Sequence, residues 1–456
     1  MEPNNNSSEN TNGTSSKVKE KVVYIPDFRI YDQNGTPDQN TGQDQIDEEA
    51  QKESERQGLV KVFTKAIGFD ITTISIPVSF NEPASFLMRL CEAIQYTDLL
   101  DKASQCENSM ERLMYIAIFS CTCYAVAERT GKPFNPLLGE TYEYVDDSRE
   151  NFKFIAEQVS HHPPVGACYA ENNNWQFWQS QRLKTKFTGN SLDCQAVGSN
   201  NVKLRRTNEH FKWQCVKTAV HNVIVGKIWI DHYGETEVYN KATGEKAVVR
   251  MKQCGWFSKG WHEVEGEVLD AQGNPCIQIF GKWNEAIHAK VLADYKQQPE
   301  KKDKKKEKKG KKNDNLEEKL SKEEALWVHT NLPLPVNELP CKYMIDWSSH
   351  SLQVVQCSEL QRKTVPPTDG RLRPDRISLE KGDVKKAGQE KHMLEERQRD
   401  ERRKREKNNE EWVPKYFKLV MDEDDQEYWQ YVGGYFEARE ERVREYQQLV
   451  AQQSTK

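Results

Sequence analysis

Residues 157–164 read Glu157-Gln158-Val159-Ser160-His161-His162-Pro163-Pro164, the most informative stretch of this 456-residue chain. Two adjacent imidazoles stand before two prolines, whose rings fix the backbone just after them. A neutral imidazole offers one N–H donor and a protonated one offers two. On a stiffened turn, His161 and His162 therefore make a compact donor pair suited to a phosphate. The competing reading is an ordinary Pro-Pro turn that happens to carry two histidines.

The surrounding sequence is strand-like. From about 140 to 295, short apolar-aromatic runs are separated by turn signals such as Glu171-Asn172-Asn173-Asn174, Gly198-Ser199-Asn200-Asn201 and Asn240-Lys241-Ala242-Thr243-Gly244. That spacing predicts an antiparallel sheet of many strands closing on itself. Trp175, Trp178, Trp213, Trp229, Trp256, Trp261 and Trp283 fall in this region and read as core or rim rather than as a base-stacking platform.

Toward the N-terminus, Ile74, Ile76, Val78 and Phe80 alternate and predict a strand broken at Asn81-Glu82-Pro83. Helical patterns follow over about 84–99 and 108–130, the second largely apolar along Met114, Ile116, Ile118 and Phe119. Leu59, Val62, Phe63, Ala66 and Ile67 recur at helical spacing before Gly68, predicting a short amphipathic helix. Residues 1–56 are polar and are expected to be disordered, with one apolar island at Val22–Pro26. Toward the C-terminus, residues 299–315 hold nine lysines and read as an exposed loop, either a solvated insertion or a membrane-facing patch. Asp383 to Asn408 reads as an exposed charged helix. The aromatic stretch from Trp412 to Phe436 is expected to pack back on the domain, leaving 441–456 as a tail.

Composition narrows the function. Hydrophobic content is 36%, charged content 30% and the formal net charge −5, which argues against wholesale nucleic-acid binding. No apolar run approaches the roughly 20 residues needed to span a bilayer, and the first 30 residues lack a signal peptide's apolar core. The expected compartment is the cytosol, with the eleven cysteines as free, mostly buried thiols. No CxxC pair, Gly-x-Ser-x-Gly elbow or HExxH helix occurs. Ser160 beside His161 is adjacency in sequence, not a triad, so no enzyme, metal or cofactor is expected.

Three separated segments carry binding chemistry. Gly131-Lys132-Pro133-Phe134-Asn135-Pro136-Leu137-Leu138-Gly139-Glu140 is a shaped loop in which Lys132 supplies a point charge and Asn135 an amide donor. His161-His162 is the second segment. Lys391, Glu395 and Arg399 are spaced i, i+4, i+8 and share a helix face, able to present an ammonium and a guanidinium to a phosphorylated head group. Alone, that third pattern is an ordinary solvated helix.

Together with Ile76-Pro77-Val78-Ser79-Phe80-Asn81-Glu82-Pro83, Val225-Gly226-Lys227-Ile228-Trp229-Ile230-Asp231 and Arg371-Leu372-Arg373-Pro374-Asp375, these motifs resemble the oxysterol-binding-protein-related family of lipid-transfer proteins. The chain looks most like the short members akin to the animal related proteins one and two, without a pleckstrin-homology domain. The resemblance implies an α+β, mainly β fold over residues 57–440: a large near-complete antiparallel β-barrel around an apolar tunnel, an N-terminal amphipathic lid over 57–72 with further helices, and a C-terminal helical subdomain. It also implies a phosphoinositide site at Lys132, Asn135, His161, His162, Lys391, Glu395 and Arg399. Sterol contacts are expected from the tunnel walls and from lid residues Leu59, Phe63 and Ile67. The implied function is exchange of a sterol or oxysterol for a phosphatidylinositol phosphate between membranes by a peripheral, cytosolic protein. A phosphatidylserine exchanger and a lipid-responsive sensor or scaffold remain alternatives. Asp27-Phe28-Arg29-Ile30-Tyr31-Asp32 departs from the family's acidic two-phenylalanine motif, which puts tethering to an endoplasmic-reticulum receptor in doubt.

Overall fold

The alternating runs fold into a 14-stranded antiparallel sheet. The computed structural model describes residues 76–292 and 325–454, all within one compact unit, Gln39–Lys456. The expected tail over 1–56, the lid with Leu59, Phe63 and Ile67, and the lysine-rich segment over 299–315 lie outside the described residues.

Two short strands, β1 (Asn81–Ser85) and β2 (Lys132–Phe134), pair in parallel. The large sheet contains β3 (Thr141–Asp146), β4 (Phe152–His161), β5 (Pro164–Glu171), β6 (Trp175–Phe187), β7 (Ser191–Val197), β8 (Ser199–Leu204) and β9 (His210–Gln214). It continues through β10 (Lys217–His221), β11 (Trp229–Asn240), β12 (Lys246–Met251), β13 (Glu263–Leu269), β14 (Pro275–Lys282), β15 (Ala286–Val291) and β16 (Trp327–Val328). The order along it is β16-β15-β14-β13-β12-β11-β10-β7-β6-β5-β4-β3. The two long strands, β6 and β11, are bridged twice: through β7 and β10 along one half, and through β8 and β9 along the other. The edge strands β3 and β16 do not pair with each other. The sheet thus curls toward a barrel without hydrogen-bonded closure.

Because neighbours are antiparallel, hairpins alternate between two ends of the sheet. The turns β4–β5, β6–β7, β10–β11, β12–β13 and β14–β15 share one end, fixed by the pairs His161↔Pro164, Phe187↔Leu192, His221↔Trp229, Met251↔Val264 and Lys282↔Ala286. This end is the rim of the sheet.

Helices α1 (Phe86–Glu92), α2 (Asp98–Gln105) and α3 (Ser109–Ala125) precede the sheet. Asn108 caps α3 by accepting from the Met110 and Glu111 amides at 2.8 and 3.3 Å, satisfying N–H groups that the first helical turn leaves open. The helix is buried along most of its length and packs against the sheet's inner face. Phe119 meets Phe177 and Trp213 edge-on at 6.3 and 6.1 Å.

Three expectations change here. Of the strand expected over 74–80, residues 74 and 75 lie outside the described residues, Val78–Phe80 form a 3₁₀ turn, and extended pairing begins one residue later, through the Asn-Glu-Pro expected to break it. Long-range partners override the local signal: the Asn81 amide donates to Lys132 O at 3.0 Å, and Glu82 is buried against Arg89, Arg129 and Trp347. The helix expected over 84–99 divides into α1 and α2 because residues between them serve other elements. Arg149 donates to Gln95 O at 2.8 Å, and the Tyr96 hydroxyl lies 2.7 Å from His329 Nδ1. The cysteines are all free, but only Cys91, Cys121, Cys168 and Cys276 are fully buried, and the other seven are partly exposed.

Beyond β16 come α4 (Ser349–Val355), α5 (Glu359–Thr364), α6 (Pro374–Glu380) and α7 (Val384–Asn408), then the hairpin β17 (Phe417–Met421) and β18 (Glu427–Tyr431), and α8 (Tyr435–Ser454). The α7 bounds match the charged helix read from sequence, with Asp383 as the N-cap accepting from Lys386 N. The aromatic segment does pack back: Tyr416, Phe417, Tyr435 and Phe436 bury against Ile155, Val159 and Ala167. The expected tail over 441–456 is helical as far as Ser454. It is fixed by polar contacts that a hydrophobic pattern cannot signal, Arg439 to Glu143 at 3.0 Å and Arg442 Nε to Thr364 O at 2.6 Å.

Candidate functional site: a cationic rim beside an apolar cavity

The octapeptide closes β4 at the rim. Its glutamate is structural: the Glu157 carboxylate accepts from the Lys415 and Tyr416 amides, each at 2.9 Å, anchoring the C-terminal aromatic segment. Gln158 pairs its backbone with the 131–140 loop, whose Gly139 N–H donates to Gln158 O at 3.0 Å. Gly139 adopts φ +78°, and a Cβ there would lie 2.7 Å from the Trp412 ring. Only glycine fits that close approach without strain.

The same loop is clamped from below by Arg373, which donates to Asn135 O at 2.9 Å and to Glu140 at 2.8 Å while pairing with Asp375 at 2.7 Å. A guanidinium provides such divergent donors from one rigid fork. The Arg371-Leu372-Arg373-Pro374-Asp375 motif therefore shapes the loop that presents Lys132 and Asn135.

The three segments converge. Lys132 Nζ donates to Asn135 Oδ1 at 2.8 Å. On α7, Lys391 pairs with Glu395 at 3.0 Å and donates to Ile76 O at 2.9 Å, and Arg399 pairs with Glu395 at 3.5 Å and with Glu396. Burial pushes the Lys132 ammonium down to about 8, aided by the neighbouring Lys391 charge and opposed by Glu395. Lys132 and α7 therefore share one electrostatic environment, with partly desolvated positive charge concentrated between them.

His161 joins through Gln398, a residue the sequence reading missed. The Leu138 N–H donates to Gln398 Oε1 at 2.8 Å, and the amide's other end, Nε2, sits 2.7 Å from His161 Nε2. A backbone N–H is always a donor, so Oε1 is fixed as the acceptor and Nε2 must donate to the imidazole. His161 is thereby held with its proton on Nδ1. That atom is buried and has no partner among the described residues. Burial lowers the His161 pKa to about 4, with His162 and Arg402 contributing and Glu395 opposing. The ring is therefore a neutral, singly donating group, and the positive charge comes from the lysines and arginines. His162 is exposed beside it, with ring centroids 4.8 Å apart.

All seven residues read from sequence thus fall into one cluster, and the structure adds Gln398, Arg402 and the supporting Arg373. The missing signal was present: Gln398 stands i+7 from Lys391, on the same helix face. As an uncharged residue in a row of charged ones, it does not stand out by residue type.

Behind the rim, a cavity of about 180 Å³ lies where the two bridges between β6 and β11 diverge, against α1 and α3. Phe86, Leu90, Phe119, Phe177, Trp213 and Val216 give it apolar walls, and Gln181, Asn200, Cys215 and His232 bring a few polar atoms. These are largely matched to one another. Gln181 and Asn200 donate to Cys215 Sγ at 3.5 and 3.4 Å, and Thr218 Oγ1 lies 2.9 Å from His232 Nδ1. Burial lowers the His232 pKa to about 3, keeping it neutral. An apolar enclosure with a small polar cluster suits an amphiphile whose body is hydrocarbon and whose polar group is a hydroxyl.

A curled antiparallel sheet around an apolar cavity, with a cationic rim, is the architecture of the oxysterol-binding protein class. The chain belongs to the oxysterol-binding protein family: the family model described as Oxysterol-binding protein matches residues 58–440. Oxysterol-binding protein-related protein 1 of Homo sapiens is 37% identical over 372 residues, covering 78% of this chain and 39% of that protein. Related protein 3C of Arabidopsis thaliana is 37% identical over 417 residues, covering 88% of this chain and 83% of that one. The chain spans about two fifths of the length of the animal relatives it matches. The Osh1 ORD domain in complex with cholesterol superposes with a TM-score of 0.70 at 33% identity, covering 84% of this chain and 88% of that domain. The Osh3 ORD of Saccharomyces cerevisiae in complex with PI(4)P superposes at 0.68 with 27% identity, covering 84% and 93%.

Proposed function

We propose that this protein carries lipids between membranes, exchanging a sterol or oxysterol held in the cavity for a phosphatidylinositol phosphate whose head group sits on the rim. The observation that carries the reading is the convergence of Lys132, Lys391, Arg399 and the oriented His161 beside an apolar cavity. Two relatives with the same fold, one bound to cholesterol and one to PI(4)P, support one cavity serving two lipids in turn. The rim discriminates by charge. A phosphomonoester carries about −1.5 to −2 near neutral pH, and each hydrogen bond to a charged group contributes about 1.5–3 kcal/mol. Several such bonds separate phosphorylated from unphosphorylated head groups by orders of magnitude. His161 supplies its Nδ1–H and the lysines supply charge.

The role is binding, not catalysis: the Gln398 amide occupies His161 Nε2, the acceptor a general base needs. Eleven free thiols support a reducing, cytosolic setting. No helix among the described residues is long and apolar enough to cross a membrane, which accords with peripheral attachment. The test is competition: protein loaded with a fluorescent sterol is titrated with vesicles containing phosphatidylinositol 4-phosphate. Stoichiometric release of sterol, absent with unphosphorylated phosphatidylinositol, is expected. Simultaneous retention of both lipids would refute exchange.

A further inference from the structure

The β12–β13 loop carries an unusual display. Trp256 is 91% exposed and Phe257 101%, in a chain whose other aromatic rings mostly pack. The loop has a defined shape that holds the two rings outward. Gly255 N donates to Lys259 O at 2.9 Å, Lys252 N to Glu263 O at 3.0 Å, and Cys254 N to the buried Asp231 carboxylate at 3.0 Å. Phe257 and Ser258 both adopt φ +59°, a left-handed conformation unfavourable for residues with a Cβ, phenylalanine above all. The loop's hydrogen bonds therefore hold it, against local strain, in a conformation that exposes two large apolar rings to water.

The position of the loop narrows the choice of occupant. It belongs to the same rim as the His161–Pro164 turn. Its base packs on the neighbouring β10–β11 loop through Trp261 and Trp229, whose ring centroids are 5.3 Å apart. That loop presents a second exposed apolar tip, Val225, held through Asn190, which donates to Val225 O at 2.9 Å. Exposed Lys227 and Lys259 flank the two tips, whereas Glu263 and Glu265 at the loop's base are paired with Lys252. Within the β10–β11 loop, Val223 and Ile224 pack with Ile76 on the buried Phe187, and the Ile76 carbonyl accepts from Lys391 of the head-group cluster. Two adjacent apolar tips with lysines beside them, on the end that carries the head-group site, match a bilayer interface. There aromatic rings settle at head-group depth and lysines meet anionic lipid.

We infer that the Gly255–Gly260 loop, with Val225 beside it, docks this rim onto an anionic membrane by inserting Trp256 and Phe257 into the bilayer interface. This deepens the lipid-exchange reading and rests on it for orientation: the docked rim is the one through which a head group reaches Lys132 and His161.

The test compares the full chain with a Trp256→Ala/Phe257→Ala double variant and with Phe257→Gly, by flotation on phosphatidylcholine vesicles with and without phosphatidylserine. The double variant is expected to lose vesicle partitioning on the order of tenfold or more, from two rings' interfacial burial. Phe257→Gly removes one ring and relieves the left-handed strain, so it should bind vesicles more weakly with an equal or higher Tm, separating docking from folding. Equilibrium sterol loading from cyclodextrin, which needs no membrane, should be unchanged in both variants. Native-level flotation by the double variant overturns the inference, and native-level flotation combined with loss of a protein partner assigns the loop to protein docking instead. If the native chain floats through these rings yet extracts neither sterol nor phosphoinositide, the exchange function fails while the docking loop stands.

Discussion

Replacing Gln398 tests how the rim is built. The Gln398 amide spans Leu138 N–H and His161 Nε2 at 2.8 and 2.7 Å. Gln398→Leu keeps the side chain's bulk and removes both bonds. Neutral hydrogen bonds contribute about 0.5–1.5 kcal/mol each to stability, so unfolding should require about 1–3 kcal/mol less. The binding loss has a different source. With its anchor gone, His161 regains rotamer freedom and its second tautomer, and re-ordering one such side chain costs about 0.5–1.5 kcal/mol. Adding the weakened Nδ1–H contact gives about 1–2 kcal/mol, a 5- to 30-fold loss of phosphoinositide affinity. Gln398→Glu is harsher. Its carboxylate can only accept, so it requires a proton on Nε2; in the neutral ring this turns Nδ1 into an acceptor facing the phosphate, and it adds negative charge nearby. A loss of about 100-fold or more follows from forfeiting one charge-assisted bond and adding one repulsion. The assay is extraction of labelled phosphatidylinositol 4-phosphate from vesicles, with sterol extraction and thermal melting in parallel and the His161 tautomer read by nitrogen NMR. Native phosphoinositide extraction by folded Gln398→Leu, or equal loss of both lipids, would refute the reasoning.

Other expectations follow from the same geometry. His161→Ala combined with His162→Ala should abolish phosphoinositide extraction while sparing sterol binding; equal loss of both in a folded variant would sink the separate roles of rim and cavity. Lys132 gives a pH signature. Its pKa stands at about 8 in the free protein, and a bound anion favours the charged form, so affinity is full below pH 8 and falls up to about tenfold per unit above it. A flat profile from pH 7 to 10 in calorimetric titration would remove Lys132 from the site. Arg129→Met should cost about 3–5 kcal/mol in a denaturant melt, because it removes one of the two guanidiniums that balance the buried carboxylates of Glu82 and Glu92 and leaves Arg89 to face both. Burial works against ionised Glu92, but Arg129 outweighs it and holds the carboxyl down to about 2. The stability from that depressed pKa is present above pH 4.5 and is lost as pH falls toward 2.

Much of the site was legible because its chemistry uses conspicuous residues. Adjacent histidines before two prolines, and a cation-acid-cation row at helical spacing, stand out locally, and their family resemblance supplied the long-range proximity. The α7 helix was readable from its charge pattern and the sheet from its alternation. What escaped was set by distant partners. Asn81-Glu82-Pro83 looks like a strand breaker, yet it forms β1 because Lys132 O and a buried arginine network satisfy its polar groups. Helix α8 carries little apolar periodicity and is fixed by Glu143 and the Thr364 carbonyl. Gln398 is silent in a charge-based reading because its importance is a geometric fit between one amide and two partners from separate segments.

The most direct test of exchange is vesicle-to-vesicle transfer with both lipids followed at once. Donor vesicles carry labelled sterol, and acceptor vesicles carry labelled phosphatidylinositol 4-phosphate. The account predicts that sterol moves to the acceptor while the phosphoinositide moves back, each flux falling when the other lipid is omitted. Sterol transfer at the spontaneous rate, or at a rate indifferent to the phosphoinositide, would contradict it.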